Sequence, residues 1–282
     1  MQQVPLDIDP CGATLGAVVR NRRLGALTDH EFGDVLDAFH SFGVLIFPDQ
    51  HLSAPEQVEF SLRLGSLEAV GSAASPHIKA IANMRNDGSI ASDLESPSMK
   101  VMLGNMGWHS DSSFRTPSSK ASVLSCVVSP PSGGETEFAD MRAAYDDLDA
   151  ALRERLGGVI ATHSYLYSQG AVGGLDANFT PEQRANMGPT DRPVFNVHPA
   201  TGRRSLFIGR HVYRLSGMAD EDAVALLDEL IEWACQPPRT YLHRWTPGDA
   251  VMWDNRCVLH RARPWDYTHA RIMQHTRIAG DR

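Results

Sequence analysis

Short apolar segments separated by glycine, proline and small polar residues fill most of this 282-residue chain. Runs of about four to eight β-branched or aromatic residues between turn signals are typical of β-strands. Many short strands with a few helices outside them favour a jelly-roll or barrel-like β core. We therefore predict a mostly β fold with strands at 44–47, 122–128, 135–138, 158–165, 193–198, 205–208, 239–242, 250–253, 257–260 and 271–278.

The predicted helices have clear start signals. Thr28 with Glu31 and Ser53 with Glu56 have the spacing of capping boxes, in which each side chain satisfies a free backbone N–H. Acidic residues fill the first turn of a predicted helix from Asp220 to Cys235, where they complement the helix dipole. Two short helices are predicted within 139–156, and another helix starts at Thr180.

Two segments lack a clear period and are predicted to be lid-like loops, about 65–105 and 168–178. The first contains a short candidate strand from Ile78 to Ile81. A long irregular segment in a compact domain is often a binding loop, and a mobile surface excursion is the alternative. The chain has no internal repeat and no low-complexity linker, so we expect one domain over residues 1–282.

Composition narrows the classes of partner. The formal net charge is −8 and basic residues form no block, which argues against nucleic acid or an anionic membrane as a partner. No signal peptide and no long apolar run is present, so a cytoplasmic enzyme or binding protein is expected. Monomer and homo-oligomer both stay open. The four cysteines lack a zinc or redox spacing and fit a reducing compartment: Cys11, Cys126, Cys235 and Cys257.

His109 and Asp111 form the single His-x-Asp of the chain. Side chains two residues apart on a strand point to the same side, so this pair can bind one metal ion. A third ligand is needed, and His260 at the end of the apolar strand Cys257-Val-Leu-His is the candidate. Two histidines and one carboxylate leave coordination positions of Fe(II) open for substrate and oxygen. Each of these residues taken alone is a weak signal for a metal site. The alternative for His260 is a hydrogen-bonded structural histidine.

Thr136 and Arg271 add a second kind of site. A guanidinium with a hydroxyl beside it suits one end of a dicarboxylate. An Fe(II) site that also holds a dicarboxylate suggests 2-oxoglutarate as co-substrate. Two other classes stay open: a zinc hydrolase with the same three ligands, which leaves Thr136 and Arg271 unexplained, and a non-catalytic jelly-roll sensor of a small acid.

Four segments carry a specific resemblance: 105–114, 130–145, 198–204 and 253–261. In this order they resemble the taurine dioxygenase/2,4-dichlorophenoxyacetate dioxygenase (TauD/TfdA) family of Fe(II)- and 2-oxoglutarate-dependent dioxygenases, more closely its phenoxyacetate branch. The resemblance covers nearly the whole chain. It implies a double-stranded β-helix of the cupin type, with iron bound by His109, Asp111 and His260 and the far carboxylate of 2-oxoglutarate bound by Thr136 and Arg271.

The resemblance also implies residues of the substrate pocket. Asn105 matches a residue that lines the co-substrate and substrate pocket, and Ser112 matches a substrate-contacting backbone position. His198 lies in the family's His-Pro segment, where a pocket role and a structural role in a turn are both open.

One position departs from the family. Relatives acting on sulfonates or aryloxy acids typically have a second arginine four residues after the co-substrate arginine, and His275 stands there in this chain. Imidazole cannot reproduce a bidentate clamp. Either the substrate is less strongly anionic, or Arg210, His211 or Arg277 binds its acid group.

The reaction that the resemblance implies couples oxidative decarboxylation of 2-oxoglutarate, with O2, to hydroxylation of a small organic acid. Succinate and CO2 are released. If the hydroxylated carbon carries an aryloxy group, its C–O bond then breaks. A sulfonate or a secondary-metabolite-like or amino-acid-like acid is the alternative substrate.

Overall fold

The computed structural model describes residues 4–85, 87–174 and 179–281. A short 3₁₀ turn covers Leu24–Ala26. The α-helices are α1 (Asp29–Phe42), α2 (Ala54–Leu64), α3 (Pro97–Gly104), α4 (Met141–Asp147), α5 (Ala150–Leu156), α6 (Tyr165–Gly170), α7 (Pro181–Asn186) and α8 (Asp220–Ala234). The strands are β1 (Ile8–Pro10), β2 (Ala17–Val19), β3 (Val44–Phe47), β4 (Lys79–Ala82), β5 (Ser119–Val128), β6 (Thr136–Asp140), β7 (Ile160–His163), β8 (Thr190–Pro193), β9 (Phe195–Val197), β10 (Arg204–Leu206), β11 (Val212–Leu215), β12 (Thr240–His243), β13 (Ala250–Asp254), β14 (Val258–Ala262) and β15 (Ile272–Ala279).

A seven-stranded sheet in the order β1-β2-β3-β13-β5-β15-β4 forms one side of the molecule. Strands β12-β6-β14 form a three-stranded sheet, β11-β7-β8 another, and β10-β9 a hairpin. All strand pairs are antiparallel except β2 with β3. This arrangement confirms the predicted mostly β, jelly-roll fold. No helix within the described ranges is both long enough and apolar enough to cross a membrane.

Strand β13 shows how alternation builds two cores. Successive side chains of a strand point to opposite faces of its sheet. Ala250 and Met252 join the core beneath α1 and α2, whereas Val251 and Trp253 face the core between the large sheet and β12-β6-β14. Because both faces are covered, every residue of β13 is buried. The site described below lies at the polar end of the inner core.

Both predicted capping boxes are present. Thr28 and Glu31 exchange hydrogen bonds at the start of α1, and Ser53 and Glu56 do so at the start of α2. The strand expected at 158–165 is shorter, since Ser164 instead caps α6 with its hydroxyl.

The two predicted lid-like loops need correction. Segment 65–105 contains β4, which pairs with β15, and α3, which starts with Pro97 in its first turn. Segment 168–178 begins inside α6, and its residues 175–178 lie outside the described residues. Both short helices are stabilised by tertiary packing, which the local period does not reveal. Met99 and Met102 of α3, for example, pack in a small core with Trp265.

Arg142 joins α1 to the strand that carries Thr136. The last carbonyls of a helix lack partners within the helix. The buried guanidinium of Arg142 donates to three of them and to Asp140 Oδ1, 2.9 Å from Nε. Gly43, with φ 71°, ends α1 where a Cβ would come within 3.0 Å of Arg142 Nη2. The three carbonyls belong to His40, Ser41 and Phe42.

Arg142→Met should lower the free energy of unfolding by about 3–5 kcal/mol, because it leaves a buried carboxylate at Asp140 without its cation. Urea unfolding followed by tryptophan fluorescence measures this change. Arg203→Met removes an exposed ion pair to Asp146 and is the control, with an expected change below about 1 kcal/mol. Equal effects of the two substitutions would contradict this role of Arg142.

Candidate active site

His109 and His260 are held together through their backbones. The N–H of His109 donates to the carbonyl of His260 at 3.0 Å, and the N–H of His260 donates to that of His109 at 2.8 Å. This pair of bonds attaches the segment after α3 to the end of β14, and it brings the two imidazole centroids to 4.2 Å. The two rings therefore face one another across a single small space.

Asp111 enters the same space from the His-x-Asp segment. Its ligand oxygen and the ring nitrogens of His109 and His260 lie within 4.8 Å of one another, and all three residues are buried. Neighbouring strands hold the carboxylate: Ser122 of β5 donates to Oδ2 at 2.7 Å, and Arg277 of β15 forms an ion pair with Oδ1 at 2.8 Å. Desolvation opposes its ionisation, but Arg277, followed by His260 and His275, keeps the pKa of Asp111 well below its usual range.

The three residues fit a divalent metal. Burial lowers the pKa of His109 to about 4 and that of His260 well below its ordinary value, so both rings are neutral, as metal ligands must be. His109 Nδ1 lies 2.8 Å from the carbonyl of Gly107 and donates to it, which leaves the Nε2 lone pair free. His260 Nε2 lies 3.7 Å from Asp111 Oδ2, too far for a hydrogen bond and suitable for two ligands of one ion. Two histidines and one carboxylate are typical of non-haem Fe(II) sites.

Thr136 and Arg271 lie beside this triad. Both line a small cavity of about 50 Å³ that the metal-ligating residues also line. Arg271 Nε donates to the carbonyl of Gly134 at 2.9 Å, and within the described part of the chain its terminal nitrogens donate to no residue. Burial lowers the pKa of Arg271 to about 10, which leaves it charged at neutral pH. Trp245 Nε1 donates to Thr136 Oγ1 at 3.0 Å, so the Thr136 proton is free for a ligand. These two groups can bind one carboxylate.

A larger cavity of about 500 Å³ opens on the other side of the triad and is lined by both His109 and Asp111. One side, which we call the basic wall, consists of Lys79 on β4 with His275 and Arg277 on β15. A second group of lining residues, the aromatic wall, consists of Phe114, Tyr165 and Phe179, with Phe114 and Tyr165 ring centroids 4.8 Å apart. The cavity is therefore suited to a small molecule with one anionic and one aromatic end.

Three predicted pocket residues lie at this cavity. Asn105, at the end of α3, lines both cavities. Ser112 lines the larger one with an unusual φ of 51°, and its hydroxyl donates to buried Glu68 at 2.8 Å. His275 lies 3.5 Å from Asp111 and stacks on Trp253 with centroids 5.6 Å apart.

The contacts of His198 favour the structural role in a turn, one of the two alternatives left open for it. Its Nε2 donates to buried Asp254 at 2.9 Å, while Nδ1 accepts from two backbone N–H groups of its turn. Both ring nitrogens are therefore engaged, and His198 is absent from the described lining of either cavity. For the same reason, the buried cluster that His198 forms with Asp254 and Cys257 has no free imidazole lone pair for a metal.

The contacts of Arg210 lead to a similar conclusion. It lines the cavity, but its two terminal nitrogens donate to the carbonyls of Gly104 at the end of α3 and Ser168 in α6. Its hydrogen bonds therefore hold these two helices together, which gives Arg210 a structural role beside the cavity.

Sequence reasoning missed three contributors. Ser122 supports Asp111, and Asn255 supports both residues by donating to Ser122 Oγ at 2.9 Å and accepting from the Asp111 N–H at 3.1 Å. Lys79 belongs to the basic wall. The alternation of β5 could have placed Ser122 on the inner face, but Asn255 and Lys79 meet the site only through strand pairing.

Comparisons with known proteins agree with this geometry. Residues 7–277 match the model of the family described as "Taurine catabolism dioxygenase TauD, TfdA family". An (S)-phenoxypropionate/α-ketoglutarate dioxygenase of Sphingobium herbicidovorans is 46% identical over 280 residues, covering 98% of this chain and 95% of that one. An α-ketoglutarate-dependent 2,4-dichlorophenoxyacetate dioxygenase of Cupriavidus pinatubonensis is 39% identical, covering 91% of each chain.

Solved structures extend the agreement to the fold. The crystal structure of AAD-2 in complex with Mn(II) and N-oxalylglycine superposes with a TM-score of 0.91 at 34% identity, covering 99% of this chain and 98% of that one. A taurine dioxygenase from Burkholderia xenovorans gives a TM-score of 0.79 at 26% identity, covering 99% and 90%. These findings confirm the resemblance inferred from the four sequence segments. The chain belongs to the TauD/TfdA family of Fe(II)- and α-ketoglutarate (2-oxoglutarate)-dependent dioxygenases.

Proposed function

We propose that this dioxygenase oxidises an aryloxyalkanoic acid, such as a 2-phenoxypropionate, and cleaves its ether bond. The observation that carries the proposal is the cavity beside the triad, which is lined by both the basic wall and the aromatic wall. An aryloxy acid has both complementary ends within a few bonds of one carbon. The relatives that act on phenoxypropionate and 2,4-dichlorophenoxyacetate support the same substrate class.

We assign the binding site of the co-substrate 2-oxoglutarate to the small cavity. Arg271 and Thr136 bind the far carboxylate of 2-oxoglutarate, and Asn105 lies between this cavity and the larger one. Trp265 packs against the Arg271 guanidinium, 5.4 Å from its ring centroid, and limits its rotation. The anchor is therefore rigid, so that 2-oxoglutarate binds in one orientation relative to His109, Asp111 and His260.

When bound, Fe(II) with 2-oxoglutarate and O2 supplies the oxidant that hydroxylates the substrate carbon. The protein orients that carbon: the basic wall binds the acid group next to Asp111, and the aromatic wall binds the ring. For a 2-aryloxypropionate the hydroxylated carbon carries both OH and the aryloxy group. Loss of the aryloxy group with the hydroxyl proton gives a phenol and pyruvate, beside succinate and CO2 from 2-oxoglutarate and O2.

The remaining expectations are proposals of the same kind. We assign the whole chain to one catalytic domain, because the site draws on β4, the segment after α3, β6, β14 and β15. Ser112 contributes its backbone to the substrate cavity. A cytoplasmic location fits the small acidic substrate and the four free cysteines.

Succinate release against a panel of acids tests the substrate class. We expect the highest kcat/KM with 2-phenoxypropionate or 2,4-dichlorophenoxyacetate, together with stoichiometric phenol. The kcat/KM for taurine and for alkyl sulfates should be at least about tenfold lower, because these molecules have no ring that could stack on the aromatic wall. A higher kcat/KM for an alkyl sulfate or a sulfonate would reject the aryloxyalkanoate assignment.

Arg271→Ala tests the co-substrate anchor. The concentration of 2-oxoglutarate needed for half-maximal succinate release should rise about 10- to 100-fold, because a charge-assisted hydrogen bond is lost. Metal affinity, measured by anaerobic Fe(II) titration of tryptophan fluorescence, should stay within about twofold. Arg263→Ala, which removes a half-exposed partner of Glu137, is the control. Parallel losses of metal and 2-oxoglutarate binding would mean that Arg271 has a structural role.

A further inference from the structure

The arginine and lysine side chains that line the large cavity differ in how many of their N–H donors already have a partner. Arg210 donates to two backbone carbonyls, as described above. Arg115, at the rim, is paired with Glu68 at 3.3 Å. Arg277 forms an ion pair with Asp111 through one terminal nitrogen. The Lys79 ammonium has neither a hydrogen bond nor an ion pair with any residue in the described ranges, although Lys79 lines the same cavity.

His211 is a weak alternative for binding an anion. Its Nδ1 lies 2.8 Å from Ser168 Oγ, and that hydroxyl already donates its only proton to the carbonyl of Tyr165. His211 Nδ1 must therefore be the donor, which leaves Nε2 of the neutral ring as an acceptor. An acceptor cannot bind a carboxylate, and burial lowers the pKa of His211 well below its ordinary value.

We infer that Lys79 and Arg277 together form the binding site for the acid group of the substrate, in place of an arginine at position 275. This inference rests on the proposed function for the identity of the acid. Lys79 is the principal anchor, because its three donors are free, and Arg277 is the secondary one.

Strand pairing places these residues on one face. Lys79 of β4 is the direct partner of His275 of β15, so their side chains are neighbours on the same side of the sheet. Arg277 follows two residues later and therefore points to that side as well. Its contact with Asp111 Oδ1 places the pair beside the metal ligands.

Charge supports the same location. Partial desolvation at the cavity and repulsion from Arg277 lower the pKa of Lys79, which is otherwise exposed. Asp111 attracts both cations, and it is shared with the metal site. Arg277 Nε is also buried without a partner. An incoming carboxylate removes this repulsion and supplies the missing acceptor.

The test compares an acid with its neutral ester. Wild-type protein loaded with Mn(II) and N-oxalylglycine, which cannot turn over, is titrated calorimetrically with 2-phenoxypropionate and with its methyl ester. Lys79→Met should weaken binding of the acid about 10- to 100-fold and that of the ester less than about twofold. Lys79→Arg should restore most of the affinity for the acid, and N-oxalylglycine affinity should be retained.

Lys120→Met is the matched control, because it removes the same charge from β5 at a pair with the exposed Asp281, away from the lining of the cavity, and should leave both affinities unchanged. Equal weakening of acid and ester by Lys79→Met, or no weakening, overturns the inference. If the wild type binds no aryloxyalkanoate, the proposed function fails separately. The same comparison then uses hexyl sulfate against 1-hexanol, where a loss specific to the sulfate in Lys79→Met upholds the anion site and its absence overturns it.

Discussion

The two backbone hydrogen bonds between His109 and His260 are the constraint on which the site depends. They fasten the His-x-Asp segment to β14 of the three-stranded sheet. Two residues later, Asp111 is held by Ser122 and Arg277 of the large sheet. One short segment thus joins both sheets of the jelly roll at the metal ligands, and the ligands cannot separate unless the sheets do. The rigidity needed to orient a reacting carbon comes directly from this connection.

The spacing of residues along strand β15 determines how far apart its contacts with the two cavities lie. Arg271 just before it lines the small cavity, and His275 and Arg277 line both cavities. A step of two residues moves a side chain by about 7 Å along a strand without changing its face. An anion contact at position 277 therefore lies about 7 Å further along the strand than one at position 275. The arginine at 277 reaches back to Asp111, and Lys79 enters beside His275 from the neighbouring strand.

The sequence predicted those parts of the molecule that local chemistry specifies. Capping boxes marked α1 and α2, apolar alternation marked most strands, and the liganding residues had a recognisable spacing. Helices α3 and α6 were missed because their stability comes from packing. Arg210 and His198 were assigned to the pocket on charge and motif alone. Only the structure shows that backbone carbonyls and Asp254 already use their hydrogen-bonding groups.

The position of β4 separates the proposed acid contact from the residues that hold the metal site. β4 is the last strand of the seven-stranded sheet and pairs with β15 alone, whereas β5 and β15 have neighbours on both sides. A substitution on an edge strand disturbs one ladder and few packed side chains, so Lys79 can change at little cost to the fold. Ser122, Asp111 and His260 lie in the buried interior, where a change disturbs both sheets. A substitution of Lys79 that changes the preferred acid is therefore expected to leave the oxidising centre intact.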